Sequence, residues 1–180
     1  LDSTWTIRQE KEIAMRTCLA LALCFMVSAP FVTGGGKDKH GDDHVFVTPS
    51  EVKWGPAPPA LPAGAQAAVL TGDPSKAGGQ YVIRAKLPDG YVVPPHWHPT
   101  DENVTILQGA LIVGKGEKIE RSTTSKYPKG HELTAGSYMR MPKEARHWAV
   151  AKGETIIQVH GVGPFDITYV NASDDPRNKK

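Results

Sequence analysis

Residues 90–109 read GYVVPPHWHPTDENVTILQG, and this stretch decides the fold. Side chains alternate faces along a strand, so His-x-His puts the imidazoles of His96 and His98 on one face and Trp97 on the other. Pro94-Pro95 before them and Pro99 after them limit backbone pairing, which predicts a bend at a strand corner. Glu102 follows His98 and opens the apolar run Asn103 to Gln108, which ends at Gly109, read as a turn glycine. Glu102 can therefore return beside the two imidazoles from the start of the next strand. Two imidazoles and a carboxylate so placed are candidate ligands for one metal ion.

A fourth candidate comes from GSYMRMPKEARHWAVA, which starts at Gly136. Ser137 to Met141 reads as a strand, Pro142-Lys143-Glu144 as a turn, and Ala145 to Ala151 as the next strand. His147 shares a face with Ala145, Ala149 and Ala151, whose small side chains leave room for a metal. Trp148 and Val150 take the opposite face.

The pair of motifs resembles those of the cupins. Gly90, His96, His98, Glu102 and Gly109 match every fixed position of the first cupin motif, G-x5-H-x-H-x3-E-x6-G. Gly136, Pro142 and His147 match the second, G-x5-P-x-G-x2-H-x3-N, whereas Glu144 and Ala151 replace its glycine and asparagine. The resemblance implies an all-β fold, a cupin double-stranded β-helix (jelly-roll-like barrel) over residues 45–170. It also implies a divalent transition metal on His96, His98, Glu102 and His147. Both departures fall at positions that do not bind metal in the family, so they bear on turn geometry.

Composition agrees with one small β domain. The 180 residues are 39% hydrophobic and 22% charged, with 18 Gly and 15 Pro, which suits short strands and many turns. The formal charge of +2 marks no surface for nucleic acid or acidic membrane.

The first 44 residues read differently. Residues 1–14 are read as an upstream extension foreign to the natural protein, with Met15 as the start. Met15-Arg16-Thr17, an apolar run through Val27 and then Ser28-Ala29 have the pattern of a secretory signal peptide, so residues 15–36 are expected to direct export to the periplasm or the extracellular space. The run is too short for stable membrane insertion. Both cysteines, Cys18 and Cys24, lie inside it, so the mature chain would hold no disulfide. Residues 37–44 are expected to be a flexible linker, and residues 171–180 a frayed tail.

Within the barrel, a first strand and an approach segment are expected within Val45 to Trp54, and strands at Ala67 to Thr71, Tyr81 to Leu87, Ala110 to Lys115, Thr155 to Val162 and Phe165 to Val170. Ala110 to Lys115 is expected to fold back on the strand before it. In the Tyr81 strand, Tyr81, Ile83, Ala85 and Leu87 share one face. Residues 116–130 read as a long polar loop or short helix.

Two residues are candidates for acid–base or substrate-orienting work beside the metal, both conditional on facing inward. They are His160, and Arg140, whose planar fork would suit an anionic substrate. If Met139 and Met141 face inward instead, the pocket is apolar. Three imidazoles and one carboxylate suit Fe(II), Mn(II), Ni(II), Cu(II) or Zn(II), and in an octahedral metal leave two positions open. By family analogy the leading expectation is a metal-dependent oxygenase acting on a small aromatic or enolic compound. The alternatives are a non-catalytic module holding a metal or small ligand, and a redox-neutral isomerase or lyase with His160 or a water as base. Many cupins pair through edge strands, so a homodimer is a further expectation.

Overall fold

The computed structural model describes residues 44–120, 126–127 and 129–179. The proposed extension, signal peptide and nearly all of the linker lie outside these residues. Among the described residues no helix is long and apolar enough to cross a membrane.

Among the described residues, nine strands form one curled antiparallel sheet: β1 Gly55–Pro56, β2 Gln66–Gly72, β3 Gln80–Leu87, β4 Val92–Trp97, β5 Glu102–Lys115, β6 Gly130–Thr134, β7 Tyr138–Met141, β8 His147–Val162 and β9 Thr168–Tyr169. Two long strands organise it. β5 and β8 pair antiparallel from Asn103–His160 to Lys115–His147. Along its first half β5 also holds β7, and along its second half β6. β8 holds β4 beside His147 and β3 towards its end. Each long strand thus serves two sheet halves, β6-β5-β8-β4-β9 and β7-β5-β8-β3-β2-β1.

The bend between the halves falls at glycines. The β5–β8 register shifts between Ile106 and Gln108 and again before Ala110, next to Gly109. Gly109 has φ 70° and Gly153, across the ladder, has φ 73°, a region that strongly favours glycine. Gly109 is therefore a bulge inside one continuous strand, not the end of one. This corrects the expectation that Ala110 to Lys115 folds back on its predecessor: it is the same strand after a corner. Ala145 to Ala151 and Thr155 to Val162 likewise merge into β8, with Lys152-Gly153-Glu154 exposed at the corner.

Three further expectations are corrected. Residues 45–54 form no strand: the segment contains a 3-10 turn, Pro49–Glu51, closed by a Thr48–Glu51 capping box. The last strand shrinks to Thr168–Tyr169, because Phe165 N donates to the Pro74 carbonyl in a loop and not to a ladder. The tail is not frayed over its described length. It forms 3-10 turns at Ala172–Asp174 and Pro176–Asn178, pinned by Arg177. Of the polar stretch 116–130, residues 116–120 are loop, and no helix occurs among its described residues.

The alternation in β3 holds. Tyr81, Ala85 and Leu87 are buried and join one core cluster with Val104, Ile106, Val159 and Met141. Trp148, on the outer face of β8, is also fully buried. Its ring lies over Gly114, where a side chain would collide with it, and it packs beside Gly130 and against Tyr127 at 5.8 Å.

Candidate metal centre

The two prolines of β4 set up the site. The β4–β8 register shifts between Val93 and His96, spanning Pro94 and Pro95, neither of which can donate to the ladder. The shift turns His96 to the same side as Val93, and both line the central cavity. His96 then stands opposite His147 in register. His98 lies just past the strand end, and Glu102 opens β5.

The structure brings all four residues together. His96, His98, Glu102 and His147 are 4%, 3%, 7% and 2% exposed. One ring nitrogen from each histidine lies within 4.8 Å of the others, an arrangement able to hold a metal ion. Ring centroids are 4.2 Å apart for His96–His147, 5.0 Å for His96–His98 and 5.3 Å for His98–His147. The Glu102 carboxylate reaches His98 Nε2 at 3.6 Å and His147 Nε2 at 3.4 Å.

Backbone carbonyls orient every imidazole. His96 Nδ1 lies 2.7 Å from the Pro94 carbonyl oxygen, His98 Nδ1 2.7 Å from that of Asp166, and His147 Nδ1 2.9 Å from that of Ala145. A carbonyl only accepts, so each Nδ1 carries the proton and each Nε2 presents a lone pair. His98 Nε2 and Glu102 Oε2 are buried without any hydrogen-bond partner. Such orphans are costly unless something outside the protein satisfies them. A divalent transition metal would do so, and a nitrogen-and-oxygen donor set suits one. The residues present fit the group that the motifs imply.

The electrostatics are those of a buried, mutually coupled cluster. Burial, reinforced by His147 and His98, pushes His96 down to about 3. Burial also lowers His98, against the pull of Glu102. Burial would raise Glu102, but the surrounding imidazoles, His98 foremost, outweigh it and bring the carboxyl down to about 2. His147 moves the other way: burial lowers it, but Glu102 more than compensates and raises it. For His96 and Glu102 the folded values lie below the ordinary 6.5 and 4.5. Their contributions are therefore complete above those ordinary values and lost as pH falls through the folded ones. His147 has the opposite sign, its contribution fading as pH rises. Because imidazoles must be neutral to coordinate, acid also competes directly with metal. Bound metal, followed by elemental analysis after desalting, is expected to fall as pH is lowered from about 7 to about 4 and to recover on return. Retention of full stoichiometry at the acid end would contradict this site.

The centre opens into a cavity of about 340 Å³ between the sheet halves, walled by Ile83, Val104, Leu111, Met139, Ile157 and Phe165 among other apolar side chains. Met139 points into it and Met141 is buried, so the methionines of β7 take the inner face. Arg140, on the opposite face, is exposed. Its Nε and Nη2 donate to Asp101 Oδ2 at 3.1 and 2.6 Å, while Asp101 Oδ1 accepts from Lys143 N at 2.9 Å. Arg140 thus braces the turn before His147 from outside and meets no substrate in the cavity. His160 is likewise placed outward. Ile157 and Val159 line the cavity, so strand alternation turns His160 away, level with Asn103 on β5 and Val82 on β3. Neither conditional candidate reaches the metal side.

The departure at Glu144 also resolves. Glu144 adopts φ 62°, the left-handed conformation that a glycine at this motif position takes easily, and its N–H donates to the His98 carbonyl at 2.8 Å. The turn keeps its shape at some steric cost.

Sequence reading missed two contributors. Phe165 stacks on His98 at 4.8 Å and 18°, and the Asp166 backbone carbonyl holds the His98 ring. Both lie far along the chain in a segment read as strand. A backbone acceptor leaves no side-chain signature, so no motif could have flagged Asp166.

A family profile for the ChrR cupin-like domain matches residues 42–166. The chain belongs to the ChrR cupin-like family. Solved cupin structures share its fold. An acetylacetone dioxygenase from Acinetobacter johnsonii aligns with TM-score 0.54 at 15% identity, covering 86% of this chain and 88% of that one. The polyketide cyclase RemF from Streptomyces resistomycificus aligns at 0.53 and 17% identity, covering 73% and 88%. A putative acetylacetone dioxygenase from Methylibium petroleiphilum gives 0.53 and 19%, covering 74% and 85%. No curated protein matches the chain. At these identities the likeness establishes the fold of this cupin, an all-β barrel of the double-stranded β-helix type, and not its reaction.

Proposed function

We propose that this cupin binds one divalent transition metal through His96, His98, His147 and Glu102, and that it is a metal-dependent oxygenase acting on a small, largely apolar enolic or aromatic compound. The observation that carries the reading is the convergence of three carbonyl-oriented imidazoles and an orphaned carboxylate at the wall of an apolar cavity. When bound, the metal would supply Lewis-acid activation and, for a redox-active ion, electron transfer to O₂. The protein does the rest. The histidines fix the coordination geometry, and the carbonyls of Pro94, Asp166 and Ala145 hold their tautomers. The walls formed by Val104, Leu111, Met139 and Ile157 exclude water and leave room for an apolar molecule beside the ion. Cavities of this size and character commonly enclose small ligands.

Acetylacetone dioxygenases among the structural neighbours are consistent with O₂ chemistry on an enolisable compound. The redox-neutral alternative loses its nominated base, because His160 does not line the cavity. Water remains the candidate proton carrier for that reading. A binding role without turnover is favoured by one observation: apart from the four proposed ligands, Asp166 is the one titratable residue among the described residues that line the cavity, and its side chain is engaged by Arg177. Oxygen uptake by the Fe(II)- and Mn(II)-loaded protein, measured against catechols, flavonols and diketones, separates the two. Uptake above the metal-free protein with at least one class is expected. Silence across the panel, with metal bound, would leave the binding role.

The signal-like segment at residues 15–36 supports export to the periplasm or the extracellular space as part of this proposal. A homodimer formed through exposed strand edges is proposed by family analogy.

A further inference from the structure

The C-terminal segment carries a device that the matched family region, ending at residue 166, does not include. The Arg177 guanidinium meets Asp175 through Nε, 2.9 Å from Oδ1 and 3.1 Å from Oδ2, and through Nη2, 2.8 Å from Oδ2. From that anchor it reaches back across ten residues of chain. Nη2 donates to the Ile167 carbonyl at 2.8 Å, and Nη1 lies 3.3 Å from Asp166 Oδ1. The Asp166 side chain also accepts from Ile167 N at 2.8 Å. The segment so held is the one that touches the centre: the Asp166 carbonyl accepts from His98 Nδ1, and Phe165 stacks on the same ring.

We propose that Arg177 is a positioning residue for the metal centre, fixing the orientation of His98 through the backbone of residues 165–167. This rests on the reading of His98 as a metal ligand. The physical case is one of order. His98 lies beyond the end of β4 and does not share that strand's ladder, so its ring direction depends on the Asp166 carbonyl and the Phe165 face. Residues 163–167 are themselves outside any strand, between β8 and β9. Arg177 adds to this irregular backbone a rigid planar fork, itself held by Asp175, where a lysine would offer a single flexible point charge. Partners that orient a ligating histidine commonly change metal affinity by about 10–100-fold when removed.

The test is metal affinity of the full chain, by competition with a chelator, together with the absorption spectrum of the Co(II)-substituted protein. Arg177→Ala is expected to weaken binding about tenfold or more and to alter the Co(II) bands, because the field at the metal changes when one imidazole is misdirected. Asp175→Asn, which removes only the anchor, is expected to shift both readouts in the same direction by less. Arg177→Lys should recover little, since the fork and not the charge is needed. Lys152→Ala breaks an exposed ion pair with Glu132 at the outward corner of β8 and is expected to leave both readouts unchanged. Wild-type affinity and an unaltered spectrum in both Arg177→Ala and Asp175→Asn would overturn the clamp while leaving the metal site standing. A wild-type protein that takes up no metal would overturn the site and the clamp together. If Arg177→Ala fails to fold, Asp175→Asn decides the matter by the same two readouts.

Discussion

The double variant His96→Ala plus His98→Ala is expected to retain essentially no bound transition metal, where the wild-type chain holds about one ion under the same loading. Two of four donors vanish, and the remaining pair, His147 and Glu102, cannot enclose an ion between them. The loss should exceed the roughly 10–100-fold that follows removal of an outer partner of a ligand, because it removes coordinate bonds themselves. Folding should survive in the metal-free state. Alanine at the two positions leaves the Pro94 and Asp166 carbonyls without their imidazole partners, a local cost that leaves the β5–β8 ladder and its core untouched. Elemental analysis after exhaustive dialysis gives the stoichiometry, and circular dichroism shows whether the β fold persists. Equal metal in the variant and the parent would falsify the assignment of these residues as ligands.

Gly109→Ala is expected to destabilise the protein by about 3 kcal/mol, combining the cost of a left-handed conformation for an L-residue with that of overpacking. A methyl group there would collide with the Glu154 carbonyl oxygen and lie 2.8 Å from Thr155 Oγ1. The Glu154 carbonyl is backbone, and the fully buried Thr155 hydroxyl is committed to the Ala110 carbonyl at 2.9 Å, so neither neighbour yields easily. Gly90 provides the comparison. It has φ 72°, but a methyl group added there would meet nothing within 4 Å, so Gly90→Ala should carry only the conformational cost, about 1 kcal/mol. Urea denaturation midpoints of the two variants against the parent measure the difference. Equal and small losses at both positions would mean that the β5–β8 corner is not tightly packed at Gly109.

These two glycines also show where sequence reading stopped. Both were recognisable as motif positions, and both do adopt positive φ. Pro88-Asp89-Gly90 reads as a turn and is one, whereas Gly109 reads as a turn and is a bulge. Gly90 completes the turn after Pro88, with Tyr91 N donating to the Pro88 carbonyl at 3.1 Å. Gly109 instead lets a strand bend and continue. Locally a turn and a bulge need the same residue, and only the partner strand tells them apart. The merging of two predicted strands into β8 has the same cause at Gly153.

Strand faces were legible wherever the alternation was unbroken. Tyr81, Ile83, Ala85 and Leu87 share the inner side, and so do Val104 and Ile106 with Glu102. Strand parity alone does not fix the direction of Arg140 or His160. Arg140 sits in a four-residue strand followed by a proline turn, which erases the phase. For His160 the deciding fact is which side of β8 meets the cavity, and that follows from packing against β3 and β5.

The amino-acid sequence by itself determined the barrel class and the four residues that meet at its centre, because ligand spacing and strand period are local properties that a motif records directly. The tertiary structure alone decided the apolar character of the cavity, the outward placement of Arg140 and His160, and the carbonyls that orient each imidazole. Those depend on contacts between segments as distant as His98 and Asp166, and a backbone acceptor is the same atom whichever residue carries it.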